Sequence, residues 1–166
     1  MEPWHRLDRA GEGQARALLQ QCCGATRWVD RMMARRPFGS NDALLAAARE
    51  EWFGLDRADW LEAFGHHPKI GDRESLRQRF ANTALLSEDE QAGVTGASEE
   101  VLTALAEGNR EYEEKFGYIF IVFATGKSAA EMHALLRERL RNLPDTERKI
   151  AAAEQAKITR LRLMNL

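Results

Sequence analysis

Two adjacent imidazoles stand before a proline in Gly65-His66-His67-Pro68-Lys69-Ile70-Gly71-Asp72. Histidine titrates near neutral pH, so an imidazole held on a stiff bend can donate or accept a proton during a reaction. Pro68 fixes its own φ and drives the preceding residue away from the helical region. His67 is therefore expected at a break between helices, where side chains carry chemistry on a rigid scaffold. The pair does not read as half of a metal site. Neighbouring residues point in different directions, no His-x-x-x-His occurs, and His5 and His133 lie in unrelated contexts.

Other residues of chemical character lie far along the chain. Ser87-Glu88-Asp89-Glu90 has the form of a capping box, which alone explains a serine three residues before a glutamate. The Glu90 carboxylate can also serve a site, with the Gln91 amide beside it as donor and acceptor. Arg160 and Arg162 alternate with Leu161 and Leu163, so one arginine is expected to turn inward and to want a carboxylate from the protein or from a ligand. Gly126-Lys127-Ser128 resembles the end of a phosphate loop, but Ile121 occupies the position where that loop needs its first glycine. A helix N-terminus explains these residues better, and nucleotide binding is rejected. Cys22 and Cys23 are adjacent with no other cysteine in the chain, and read as reduced thiols in a helix.

The elements that must position these groups are helices. Alanine, leucine, glutamate and arginine recur at helical spacing. A first helix is expected from about Gln14 to Arg35, stopped by Pro37-Phe38-Gly39. Ser40-Asn41-Asp42 offers N-cap chemistry for a second through Trp52. A short helix spans about Arg57 to Phe64 with Gly65 at its end, and another Arg73 to Phe80. The helix opened by Ser87 is expected to give out near Gly93 or Gly96, and a longer one to run from Ser98-Glu99-Glu100 to Phe116-Gly117. Tyr118 to Ala124 is the one strand-like run, and periodicity alone does not separate a buried strand from an extended segment. Ser128-Ala-Ala-Glu131 is a second capping box, and Pro144 with Asp145 and Glu147 suits the first turn of a last helix. One apolar segment makes no sheet. The expectation is an all-α fold, a single-domain helical bundle of about seven to nine helices over residues 1–166.

The totals narrow the function classes. The 166 residues suffice for one core, and a net charge of −2 with a pI near 6.1 gives no field directed at nucleic acid or membrane. No apolar run approaches the ~20 residues of a membrane helix. Met1-Glu2-Pro3-Trp4-His5 does not open a secretory signal, so the cytoplasm is the expected compartment.

Taken together, these features resemble the 2-oxo-4-hydroxy-4-carboxy-5-ureidoimidazoline (OHCU) decarboxylases of urate breakdown. The resemblance rests on His67-Pro68 with its glycine turn, Ser87-Glu-Asp-Glu90-Gln91-Ala-Gly93, Tyr112-Glu-Glu-Lys-Phe116-Gly117-Tyr118-Ile-Phe120 and Lys157-Ile-Thr-Arg-Leu-Arg162-Leu. Their order and intervals agree from about Phe53 onward. The resemblance implies an all-helical homodimer without cofactor or metal that converts OHCU to (S)-allantoin and CO2. It places the catalytic histidine on His67, the paired glutamate on Glu90 and the ligand-facing arginine on Arg162. It lines the substrate site with Pro68, the segment Ser87, Glu88, Asp89 and Gln91, and the main chain of Phe120, Ile121, Val122, Phe123 and Ala124. Many members read His-Pro-Asp-Leu-Ala-Gly-Lys, whereas the turn here is one residue shorter, so Lys69 and Asp72 inherit no role. Whether Glu90 acts as base, orienter or cap stays open. The alternative to an enzyme is a non-enzymatic all-helical interaction module whose His-Pro turn is only a loop, with a metal-dependent hydrolase third.

Overall fold

The computed structural model describes residues 1–68 and 88–166, the side chains of 88–98 excepted. The expected helix from Arg73 to Phe80 and residue Ser87 lie outside the described residues. The described residues form eight helices and no strand: α1 (Pro3–Arg9), α2 (Glu12–Cys22), α3 (Thr26–Ala34), α4 (Asn41–Phe53), α5 (Arg57–Gly65), α6 (Glu88–Phe116), α7 (Ala129–Arg139) and α8 (Pro144–Met164). The fold is all-α. None of these helices is long and apolar enough to cross a membrane.

The chain divides into two compact units. The first comprises residues 1–67, 121–123 and 149–166, so it holds α1 to α5 and most of α8. Its interior is built around indoles whose N–H groups find backbone acceptors. Trp28 donates to the Ala48 carbonyl at 3.1 Å, Trp52 to that of Ala152 at 2.9 Å, and Trp60 to that of Trp52 at 3.0 Å. Burial of the apolar rings thus strands no donor. Leu7, Leu19, Met32, Leu44, Phe64 and Leu163 complete this core, each fully buried and contributing about 1.5–3 kcal/mol.

Helix starts follow the local chemistry. The Ser40 hydroxyl accepts from the Ala43 N–H at 3.0 Å, and Asp56 accepts from that of Asp59 at 3.2 Å. Helix α3 has no side-chain cap of its own. Glu62 of α5 supplies one, accepting from the Thr26 backbone N–H at 2.7 Å and from its hydroxyl at 3.0 Å.

The second unit comprises residues 68–120 and 124–148. There α7 lies so close to α6 that a Cβ on Gly108 would stand 2.5 Å from Leu136 Cδ2. Ser128 caps α7, accepting from the Glu131 N–H at 3.1 Å and donating to its carboxylate at 3.2 Å. A buried ion pair completes the unit. Arg139, on α7, grips Glu147 by Nη2 at 2.6 Å and by Nε at 2.9 Å. The Tyr112 hydroxyl and the Asn142 amide add two further donors to the same carboxylate.

Three expectations need correction. The helix expected over Gln14–Arg35 is two, because Cys23 turns extended (φ −152°, ψ 129°) and the chain breaks at Gly24. A Cβ on Gly24 would stand 2.3 Å from the His66 ring, so the chain at the break packs directly against a residue some forty positions away. The break expected near Gly93 or Gly96 does not occur: α6 runs unbroken for 29 residues. A helical glycine costs only about 1 kcal/mol relative to alanine, which a long helix absorbs. Finally, α1 is an unexpected helix, begun by Pro3 in the first turn. The run from 118 to 124 is neither helix nor strand, with a bend at Tyr118.

Candidate active site

The first unit holds an open cavity of about 390 Å³. Gln20 and Gln21 reach it from the end of α2, Gly24 from the following break, and Ala63 from α5. His66 and His67 line it where α5 has ended, and Gln155 and Arg162 line it from α8. His66 closes the last turn of α5, its N–H donating to the Ala63 carbonyl at 3.2 Å; His67 follows, donating to Phe64 at 3.3 Å. The histidine at the helix break therefore faces a space of small-molecule size.

Arg162, not Arg160, is the inward arginine. Arg160 is exposed, Leu163 is fully buried, and Arg162 lies part-buried between them. Its Nη1 donates weakly to the Cys22 carbonyl at 3.5 Å, and among the described residues no carboxylate pairs with it.

Burial pushes the His67 pKa below its ordinary 6.5. The positive charge of Arg162 and the neighbouring His66 act in the same direction, against the hydrogen bond to Gln155. The ring is thus neutral near pH 7 and free to take a proton. Burial pushes Cys22 up to about 12 and Cys23 up to about 11, with Arg162 opposing the shift in both. These thiols stay protonated and are poor nucleophiles. A neutral imidazole and a permanent guanidinium on one small cavity can hold a carboxylate or oxyanion and move a proton beside it.

Gln155, Gln20, Gln21 and Gly24 were not anticipated. The signal for Gln155 lies in α8, where Gln155, Thr159 and Arg162 follow one another at i, i+4 and i+7. Gln155 is 1% exposed and Thr159 5%, so polar residues occupy positions that helical periodicity assigns to the interior. Of the other expected site residues, Pro68 directly follows His67. Ile121 and Val122 are buried in the first unit, and the Phe123 N–H donates to Glu154 at 3.2 Å. None of these three lines the cavity, and Phe120 and Ala124 belong to the second unit. Glu88, Asp89, Glu90 and Gln91 fall in the first turn of α6, with side chains outside the described residues. Among the described residues, no group of three histidine, cysteine or acidic side chains is placed to hold a metal ion.

The family model for OHCU decarboxylase matches residues 8–164. The chain belongs to the OHCU decarboxylase family. It is 41% identical over 148 residues to the uric acid degradation bifunctional protein TTL of Arabidopsis thaliana, an alignment covering 87% of this chain and 45% of that one. The chain therefore spans less than half the length of that bifunctional relative. It is 30% identical over 131 residues to the 2-oxo-4-hydroxy-4-carboxy-5-ureidoimidazoline decarboxylase of Amia calva, covering 79% of this chain and 74% of that one. Among solved structures, an OHCU decarboxylase crystallised in the presence of (S)-allantoin superposes with a TM-score of 0.72 at 35% identity. That match covers 94% of this chain and 97% of the other. Membership of the OHCU decarboxylase family thus extends over the whole cavity, from Gln20 to Arg162.

Proposed function

We propose that this chain decarboxylates OHCU to (S)-allantoin and CO2, acting as one decarboxylase domain over residues 1–166. The observation that carries the reading is the presence of His67 and Arg162 on one small cavity in a chain that matches the family almost end to end. The reaction breaks the bond between the ring carbon and its carboxylate. The released pair forms a ring C=C and drives the electrons of the adjoining C=N onto nitrogen, which takes a proton. Collapse of the hydroxyl-bearing carbon to a carbonyl then places a proton on the carbon bearing the ureido group. Delivery from one face gives one enantiomer.

Arg162 holds an anionic or carbonyl oxygen of the substrate through its planar fork. His67, neutral at rest, moves the proton. The family pattern assigns Glu90 and Gln91 to orient the hydroxyl and ureido groups. It also assigns Pro68, the segment from Ser87 to Asp89 and the main chain from Phe120 to Ala124 to substrate contact. A homodimer in the cytoplasm belongs to the same proposal; it rests on the family pattern and, for the compartment, on two free buried thiols.

The test mixes the protein with freshly generated OHCU and follows optical activity. Faster appearance of (S)-allantoin than in buffer is expected. Racemic product at the uncatalysed rate would mark the chain as an interaction module.

A further inference from the structure

The side chain holding His67 is itself held, and the geometry of that second contact decides where the imidazole carries its proton. His67 Nε2 bonds to Gln155 Oε1, while the other end of the same amide, Nε2, donates to Thr159 Oγ1 at 3.0 Å. An amide has a donor end and an acceptor end, so giving one end to Thr159 presents the other to the imidazole. The Thr159 hydroxyl also lies against the Cys23 thiol, which can take its hydrogen while its oxygen accepts from the amide. Gln155 and Thr159 are both buried, so no bulk water competes for the bond between the amide and the hydroxyl.

We infer that Gln155, oriented by Thr159, is a positioning residue that fixes His67 as the Nε2–H tautomer and leaves the Nδ1 lone pair to exchange the proton. This rests on the reading in which His67 moves the proton. After protonation both ring nitrogens donate, and Gln155 Oε1 accepts in either state, so the ring need not turn during a cycle. The inference also explains why a glutamine and a threonine stand on an interior stripe of α8, where apolar residues would pack without hydrogen-bond demands.

The test is 15N NMR of protein labelled in histidine, with His67 assigned by the signal missing from His67→Ala and read above its titration. The wild type is expected to show protonated Nε2 and bare Nδ1. Gln155→Leu is expected to give a tautomer mixture and to lower kcat roughly tenfold or more with KM near wild type, as loss of a tautomer-fixing partner does. Gln155→Glu, which keeps an acceptor towards Nε2–H, restores the single tautomer. Thr159→Val frees the amide to flip and gives a partial mixture, and it serves where Gln155→Leu does not fold. A wild-type proton on Nδ1, or a single Nε2–H form in folded Gln155→Leu with unchanged kcat, would overturn the positioning role. Full activity of His67→Ala would instead overturn the functional reading, so the two failures are told apart.

Discussion

Each compact unit contains a buried or part-buried arginine in a polar cluster, and the two clusters differ in completeness. Arg139 meets Glu147 through two nitrogens, and the same carboxylate accepts from Tyr112 and Asn142. Phe120 stacks beneath the guanidinium, 4.6 Å from ring centroid to Cζ. Every strong group there has its partner, as a cluster that holds a fold together requires. Arg162 instead lines a cavity, with one long bond to the Cys22 carbonyl and no carboxylate among the described residues. A charge paired inside the protein is scaffold. A charge with spare donors lining a cavity can take a ligand there.

The contrast can be broken in several places. The largest effect is expected at His67: replacement by Ala should lower turnover by roughly 10²–10⁴-fold, about 3–5 kcal/mol in the barrier, with an unchanged helical CD spectrum. Steady-state rates on OHCU read this, and full activity would remove the imidazole from the chemistry. In the closed cluster Tyr112→Phe removes one donor from a buried carboxylate. It should cost about 1.5–3 kcal/mol in urea unfolding while turnover per folded molecule is kept.

The clusters should also part in their response to pH. Burial raises the Tyr112 pKa above its ordinary value, so that hydroxyl stays protonated across the working range. His67 has a pKa lowered from 6.5. Below 6.5 the unfolded chain takes a proton that the folded site resists, so this contribution to stability is present above that pH and is lost as pH falls through the folded value. Urea titrations of wild type and His67→Asn should diverge only on this acid side; parallel curves would place the ring in solvent. The smallest effect is at the second unit's helix cap, where Ser128→Ala should cost about 1 kcal/mol of stability and leave the cavity's chemistry alone.

Which parts of this could be read from the chain alone depends on the range of the forces involved. Ser40, Ser128 and Pro144 start helices through bonds and torsions within three residues, and each stands where local chemistry puts it. The same holds for His67, which Pro68 keeps out of α5, and for Arg162, whose neighbour Leu163 takes the interior position. The break at Gly24 was invisible because the His66 ring that packs on it is remote in sequence. Gly93 and Gly96 misled for the opposite reason, since a local preference worth about 1 kcal/mol yields to a long helix. Gln155 was legible in principle as a polar residue on an interior stripe, but its partner His67 comes from another helix end.

The most direct measurement takes Arg139→Met and Arg162→Met through the same urea titration and the same OHCU assay. The account predicts that Arg139→Met, which strands the buried Glu147 carboxylate, loses about 3–5 kcal/mol of stability and keeps turnover per folded molecule. Arg162→Met should stay close to wild type in stability and lose turnover. Equal stability losses in the two variants, or an Arg162→Met protein that turns over OHCU at the wild-type rate, would contradict it.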